Sequence, residues 1–585
     1  MKSLKKVIVV VLALVMLSSM VLTPFAAGED GHTITINNNE SGHTYEAYQI
    51  FGGELSSDGK LANIVWGTGI DASKLTDGEK LEGKTAKEWA DALSGKGFDS
   101  DEAKAFAAAV SKVLSETKVS STRKADNTGY EIKGLADGYY FVKDSDGSLA
   151  GTADAYTRFI LEVVGQDVSA NPKSSTPSVD KQVFDINDSK ANDKGNWDET
   201  ADHDIGDHVP FRLIGTLPST YDDYYSYKYV FHDKLSSGLT LDKDSIKVSV
   251  WTETTEDGED VITYNGKKYK AQLIDIEDAY TVGDCDDCSF TVSFANLKDE
   301  ALKDLGITKD SLIVVDYTAL LNENAVVGNN GNPNDVYLEF SNNPNWKGNG
   351  EDDDNPDEPD EPTGKTPKDT VVVFTYELDV DKVKDTEDGD ALAGAGFTLY
   401  KKNKDGEYKA VSFKIVKQDD GTVRAVVASA EEIEAWNNAD SEEAKQALGY
   451  TIVTELTGEQ ISKFQFVGLD DGDYKLEETT TPKGYNTIAP IEFTVEATHS
   501  EVKTDEGKVT EVKFVVVGDN ATITAGDDGT NGKIGVGNTK IVNKAGTTLP
   551  ETGGIGTTIF YVVGGLMVAL AVVLLVTKKR MSNND

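Results

Sequence analysis

Apolar residues follow three different rhythms along this chain, and the changes of rhythm divide it. The first stretch is a continuous run, Val7 to Leu22, with Lys2, Lys5 and Lys6 before it and Ala26, Ala27 and Gly28 after it. A basic start, a short apolar run and small residues predict a secretory signal peptide cleaved near 26–28. Alternation takes over at Thr33-Ile34-Thr35-Ile36 and Tyr45 to Phe51, where side chains pointing to opposite faces predict strands. Two helical patches interrupt them, Ala86 to Leu93 and Glu102 to Leu114. In the second, Ala103, Phe106, Ala107, Val110 and Val113 fall on one face. Strands return at Tyr130 to Ile132, Tyr139 to Val142 and Arg158 to Val163.

From Val179 to Pro344 the pattern is strand after strand: Ile205 to Leu213, Tyr227 to Phe231, Ser245 to Trp251, Ser289 to Phe294, Ser311 to Leu320 and Val336 to Phe340. Short strands at regular spacing with turn residues between them predict a β-sandwich. Lys347 to Thr370 then breaks the pattern with Glu351 to Pro362, an acidic, proline-punctuated run that favours an extended connector over a core. Alternation resumes at Val371 to Val383 and Leu392 to Tyr400. A helical patch from Ala430 to Leu448 follows, then Tyr474 to Thr479 and Ile541 to Asn543. Within Tyr474-Leu476-Glu478, period-2 spacing puts an acid on the face of two apolar side chains. The last rhythm is continuous again. Ile559 to Val576 holds no charge and is followed by Lys578-Lys579-Arg580. Eighteen helical residues reach roughly 27 Å, enough to span a thin hydrocarbon layer with the basic cluster on the cytoplasmic side.

Charge and composition narrow the function. A formal net charge of −44 excludes nucleic acid as a natural partner. Two cysteines in 585 residues cannot build a disulfide framework, so an exported chain of this length needs another source of covalent reinforcement. Cys285 and Cys288 sit in an acidic loop and are read as a local disulfide. A metal site would need further ligands that the sequence does not supply, and no metal or cofactor is assigned. His203, His208 and His232 are read as structural. No nucleophile, acid pair or zinc spacing of a turnover enzyme is recognisable. Lys173 lies between Pro172 and Pro177 in a joint between two predicted domains, where another protein's active site could reach its amine.

Leu549-Pro550-Glu551-Thr552-Gly553, followed by the apolar span and basic tail, resembles the cell-wall sorting signal of Gram-positive surface proteins. The resemblance implies cleavage by a sortase between Thr552 and Gly553, with the membrane holding the chain only before sorting. Asn171-Pro172-Lys173 resembles the pilin motif of sortase-assembled pili, whose lysine accepts the threonine of the neighbouring subunit; Lys181 is the nearby competitor. VDKQVFD, YVFHDKLSSGLTL and YLEFSNNPN resemble immunoglobulin-like domains that form an intramolecular Lys–Asn isopeptide bond. That implies Lys181 as amine, Asn342 as amide, with Asn343 as its neighbouring alternative, and Asp233 as catalytic acid. YKLEET followed by TPKGY resembles the collagen-adhesin B-type pilin domain, implying Lys382 as amine, Asn543 as amide and Glu478 as acid.

The expected fold class is all-β: tandem Ig-like β-sandwiches, the first with a helical insertion, plus a signal peptide and a C-terminal transmembrane helix. The expected segments are 1–28 signal peptide, 29–170 N-terminal domain, 171–346 middle A-type isopeptide domain, 347–370 acidic linker, 371–546 C-terminal B-type isopeptide domain and 549–585 sorting signal, span and tail. The resemblance implies a backbone pilin exposed at the cell wall, joined through Thr552 to Lys173 of the next copy. Its expected partners are sortase, identical subunits, accessory tip or base pilins and peptidoglycan, with a host extracellular ligand as a further candidate. The alternative is a wall-anchored monomeric adhesin that shares the domains and does not use Lys173.

Overall fold

The computed structural model describes residues 31–581, apart from 78, 97–99, 150, 173–174, 225, 259–260, 345–362, 418–421, 501–508, 520, 530–531 and 547–554. The expected signal peptide, Lys173, the acidic run up to Pro362 and the whole of Leu549 to Gly553 lie outside the described residues. The remainder is mostly strand, laid out as three successive sandwiches and a terminal helix.

In the first unit His32–Ile36 pairs parallel with Val168–Ala170, bringing the start and end of the unit side by side. The larger sheet is built on Tyr45–Leu55, paired with Leu61–Trp66 and Gly138–Asp144. The helix Ala86–Leu93 occupies the predicted residues and starts with a capping box between Thr85 and Glu88. The second helix, Asp101–Ser111, ends three residues before the predicted Leu114. Phe106 and Val110, from the predicted apolar stripe, are fully buried beside Phe51, Trp66 and Trp89.

The middle sandwich faces two seven-stranded sheets. One runs in the order Asn196–Asp198, Val179–Asp185, His208–Thr216, Leu312–Leu321, Leu239–Glu253, Lys267–Leu273, Val261–Tyr264. The other is centred on Asn332–Ser341 and Tyr229–Leu235. The boundary after this unit differs from the expectation. Asp369–Phe374 pairs antiparallel with Asn332–Ser341, so its backbone completes the middle sheet; Val371 and Val373 pack in the middle core and Val372 and Phe374 in that of the last sandwich. Thr363–Lys365 pairs with the same strand, which returns the end of the expected linker to regular structure. The reason lies in composition: the acidic run stops at Glu361, and the following residues carry neither the charge density nor the proline spacing that opposes pairing.

Tyr376–Lys384 continues into the last sandwich. It is flanked by Lys463–Leu469 and, in parallel, by Val536–Asn543. The predicted helical patch is two helices, Ala430–Asn438 and Glu442–Ala447, each opening on a serine cap. The terminal helix Ile555–Met581 contains an apolar span, Ile559–Lys579, of mean hydropathy 2.8 and no burial against the rest of the chain.

A polar junction ties the middle and last sandwiches. Ile205 N donates to Gly468 O at 3.0 Å and Asp470 N donates to Asp204 Oδ1 at 2.8 Å. Lys401 Nζ lies 2.7 Å from Asp204, 2.9 Å from Asp188 and 3.3 Å from Asp470. Asn187 Nδ2 donates to Asp471 Oδ2 at 2.7 Å, and His499 Nε2 lies 2.9 Å from Asp202 Oδ1. Burial holds Asp204 and Asp470 above the usual carboxylate range and pushes Asp471 up to about 6. Burial lowers the imidazoles of His203 and His499, but hydrogen bonds to Asp207 and Asp202 outweigh it and leave both raised.

Candidate functional site

Alternation explains why charged groups point inward in the middle sandwich. Lys181 shares its buried face with Val183, and Asp233 shares one with Tyr229 and Phe231. Lys181 is 1% exposed and Asp233 is fully buried. Lys181 Nζ donates to Asp233 Oδ2, to Asn334 Oδ1 at 2.7 Å and to Tyr317 Oη at 3.2 Å. Tyr317 Oη donates to Asp233 Oδ2 at 2.9 Å and accepts from Asn334 Nδ2 at 2.8 Å. Asp233 Oδ1 is buried without a hydrogen-bond partner, a placement suited to a neutral carboxyl. Burial holds Asp233 above the ordinary carboxylate range and Lys181 below the ordinary amine range, each opposed by the charge of the other.

The amide beside Lys181 is therefore Asn334, not the expected Asn342. Both asparagines have the phase of Val336, Leu338 and Phe340, so alternation cannot separate them. Register does. Asp233 stands opposite Val336 and Leu235 opposite Asn334, which sets Asn334 one step diagonally from the acid. Asn342 lies six residues from Val336, roughly 20 Å along an extended strand at about 3.4 Å per residue. Its side chain fastens the first unit to the middle one: Nδ2 donates to Leu149 O at 3.0 Å and to Asp154 O at 3.1 Å. Asn343, the next residue, is buried as well.

In the last sandwich the expected trio meets as named. Lys382 stands on Tyr376–Lys384, opposite Ile541 in the parallel pair, and Asn543 ends the adjoining strand. Lys382 Nζ donates to Asn543 Oδ1 and to Ile541 O at 2.9 Å. Glu478, on the buried face of Tyr474 and Leu476, accepts from Asn543 Nδ2 at 2.8 Å through Oε1, which is 3.9 Å from Lys382 Nζ. Ile488 N donates to its other oxygen at 3.1 Å. Burial pushes the Lys382 amine down to about 8, so about a tenth of it is neutral at pH 7.

Cys285 and Cys288 are joined as a disulfide, with Cα atoms 5.4 Å apart. His203 and His208 lie at the junction with the last sandwich, His208 Nε2 3.2 Å from Glu431. His232 Nε2 is 3.1 Å from Glu339 and its ring stacks on Tyr337.

Two family models match. One, an LPXTG cell wall anchor motif, covers residues 541–583, and the other, a prealbumin-like fold domain, covers residues 377–508. The chain is 24% identical to the trypsin-resistant surface T6 protein of Streptococcus pyogenes serotype M6, over 94% of this chain and 95% of that one. The chain thus carries a Gram-positive cell-wall anchor motif and a prealbumin-like domain, and it is similar over nearly its whole length to a streptococcal surface protein. The anchor motif makes it a protein of the cell-wall surface. Among solved structures, the T6 backbone pilin of that streptococcus aligns at 18% identity and a TM-score of 0.44, covering 88% of this chain and 99% of that chain. The full-length major pilin SpaD of Corynebacterium diphtheriae aligns at 15% identity and a TM-score of 0.42, covering 88% and 98%.

Proposed function

We propose that this chain is a pilin, a shaft subunit joined to the next by sortase through Thr552 and Lys173, and that its middle and last sandwiches each close a Lys–Asn isopeptide bond without help. The proposed bonds are Lys181 to Asn334, with Asp233 as acid, and Lys382 to Asn543, with Glu478 as acid. The observation that carries the reading is the repeated meeting of a buried lysine, a buried acid and an asparagine carboxamide in two successive sandwiches. An ammonium is costly to bury, so the lysine yields a proton and becomes a nucleophile. The carboxyl takes that proton. Ammonia leaves once per bond, so each domain is its own substrate and nothing turns over.

The spacing supports a mechanical purpose. Each bond would tie strands 153 or 161 residues apart in sequence, closing nearly a whole sandwich into one covalent loop. With Thr552 joined to Lys173, tension entering one subunit would pass along covalent links between the strands that carry the ends. The test is a denaturing gel of boiled cell-wall extract. A ladder of covalent multimers that collapses on Lys173→Ala is expected. A single monomer band from the unaltered chain would overturn polymerisation in favour of a monomeric adhesin.

A further inference from the structure

The two clusters put their acids in different places. In the last sandwich Glu478 Oε1 accepts directly from Asn543 Nδ2 at 2.8 Å, so the acid already touches the nitrogen that must leave. In the middle sandwich Asp233 Oδ2 is engaged by Lys181 and Tyr317, and among the described residues no hydrogen bond joins Asp233 to Asn334. The Tyr317 hydroxyl stands between them, 2.9 Å from the acid and 2.8 Å from Asn334 Nδ2. Its ring is held there by stacking on Phe211 and by the edge of Phe290, with centroids 5.3 and 5.1 Å away.

We propose that Tyr317 is a catalytic residue of the middle crosslink, passing a proton from Asp233 to the departing nitrogen of Asn334. The proposal rests on the reading of this cluster as a bond-forming site. The Lys181 ammonium first gives one proton to the Asp233 carboxylate. The freed lone pair attacks Cγ of Asn334, and the carbonyl electrons move to Oδ1. Once that carbon is tetrahedral, Nδ2 has regained its lone pair and accepts hydrogen bonds instead of only donating them. Tyr317 donates its proton to Nδ2 and takes one from Asp233, the Cγ–Nδ2 bond breaks as the carbonyl re-forms, and ammonia departs. The attacking nitrogen returns a second proton to the Asp233 carboxylate. The five hydrogens initially on Lys181 Nζ and Asn334 Nδ2 end as one on the new amide, one on Asp233 and three on ammonia, with net charge unchanged at zero. Burial keeps the phenol far above its ordinary range, so Tyr317 acts as a neutral relay and not as a phenolate.

General acid catalysis by a placed group contributes about a hundredfold or more. Tyr317→Phe in the full chain is therefore expected to slow the Lys181–Asn334 joining about 100-fold. The joined tryptic peptides would be followed by mass spectrometry from synthesis onward, and the Lys382–Asn543 peptide should form at its ordinary speed as the internal control. If the Phe variant joins Lys181 to Asn334 as fast as the unaltered chain, the relay is overturned while the crosslink stands. If the unaltered chain never joins them, the bond-forming reading falls and the relay with it. Should the Phe variant not fold, site-specific replacement of Tyr317 by a fluorinated tyrosine keeps ring and hydroxyl and makes the latter more acidic. A changed joining rate then supports the relay, and an unchanged rate overturns it.

Discussion

The middle and last sandwiches bury the same three functional groups by opposite arrangements. In the middle one the acid sits against the lysine and a tyrosine stands next to the amide; in the last one the acid sits against the amide and the lysine rests on a backbone carbonyl. The strands differ accordingly. Lys181 and Asn334 come from opposite sheets, whereas Lys382 and Asn543 come from adjacent parallel strands of one sheet. What the two share is desolvation. In each, burial lowers the lysine amine and brings it within hydrogen-bond reach of an asparagine carboxamide. Geometry thus decides where the proton goes, while burial decides that a lysine can react at all.

The strongest way to break this comparison is to remove one acid at a time. Asp233→Ala is expected to abolish only the middle bond and Glu478→Ala only the last. Once the mass of the substitution itself is allowed for, either leaves the chain heavier by one retained ammonia, about 17 Da, and less stable by about 5 kcal/mol, if closing a loop of this length constrains the unfolded chain as a disulfide does. Intact mass and separate melting of the two units check this. Loss of both bonds from one substitution would show that the sites are not independent.

The next effect concerns the junction between the two sandwiches. Asp471 has its folded pKa raised from 3.8 to about 6, so it binds more protons folded than unfolded between those values. Its stabilisation is complete below about pH 4 and is lost as pH rises through 6, a change of about 3 kcal/mol. Asp204 and Asp470, also raised, act in the same direction, and His203 and His499 extend the loss above pH 6.5. Lys401 stays charged throughout this window and partly offsets the repulsion among Asp188, Asp204 and Asp470. Protection against hydrogen exchange at Ile205 and Asp470, relative to the base-catalysed intrinsic rate at each pH, is expected to be lower at pH 8 than at pH 5, with both crosslinks intact at either pH. Equal protection would contradict it.

Two smaller substitutions sharpen the assignment of the middle amide. Asn334→Ala should prevent the bond, whereas Asn342→Ala should leave it in place and cost about 2 kcal/mol by removing the hydrogen bonds to the Leu149 and Asp154 carbonyls. Joined Lys181 peptides in one variant and not the other decide between the two asparagines. Smallest of all, Cys285→Ser with Cys288→Ser opens a loop of only three residues' separation and should lower stability by under about 2 kcal/mol, read as a modest fall in the melting temperature of the middle unit.

Much of this was legible in the sequence, for reasons that also mark where legibility ends. Alternation within a strand is local, so the inward face of Glu478 followed from its neighbours, whereas Lys181 and Asp233 were reached only through the family resemblance. The Ala86–Leu93 helix was equally readable from its spacing. Pairing between strands is not local. Asn334 and Asn342 have identical phase on one strand, and only the register Asp233 opposite Val336 distinguishes them. Tyr317 was missed for the same reason: in a strand of apolar residues it looks like core, and its role arises from groups 84 and 17 residues away in sequence. The signal available was weak, a tyrosine whose hydroxyl must find partners if buried. The assignment of Val371 to Phe374 to the last sandwich held for the side chains of Val372 and Phe374 and not for the backbone, because an alternating run does not reveal which sheet it joins.

The most direct test of the central claim is electron density at the two clusters in a crystal of the folded chain. The account predicts continuous density from Lys181 Nζ to Asn334 Cγ and from Lys382 Nζ to Asn543 Cγ, each refining to an amide bond of about 1.33 Å. Separate lysine and asparagine side chains, held apart at hydrogen-bond distance in both sandwiches, would contradict it.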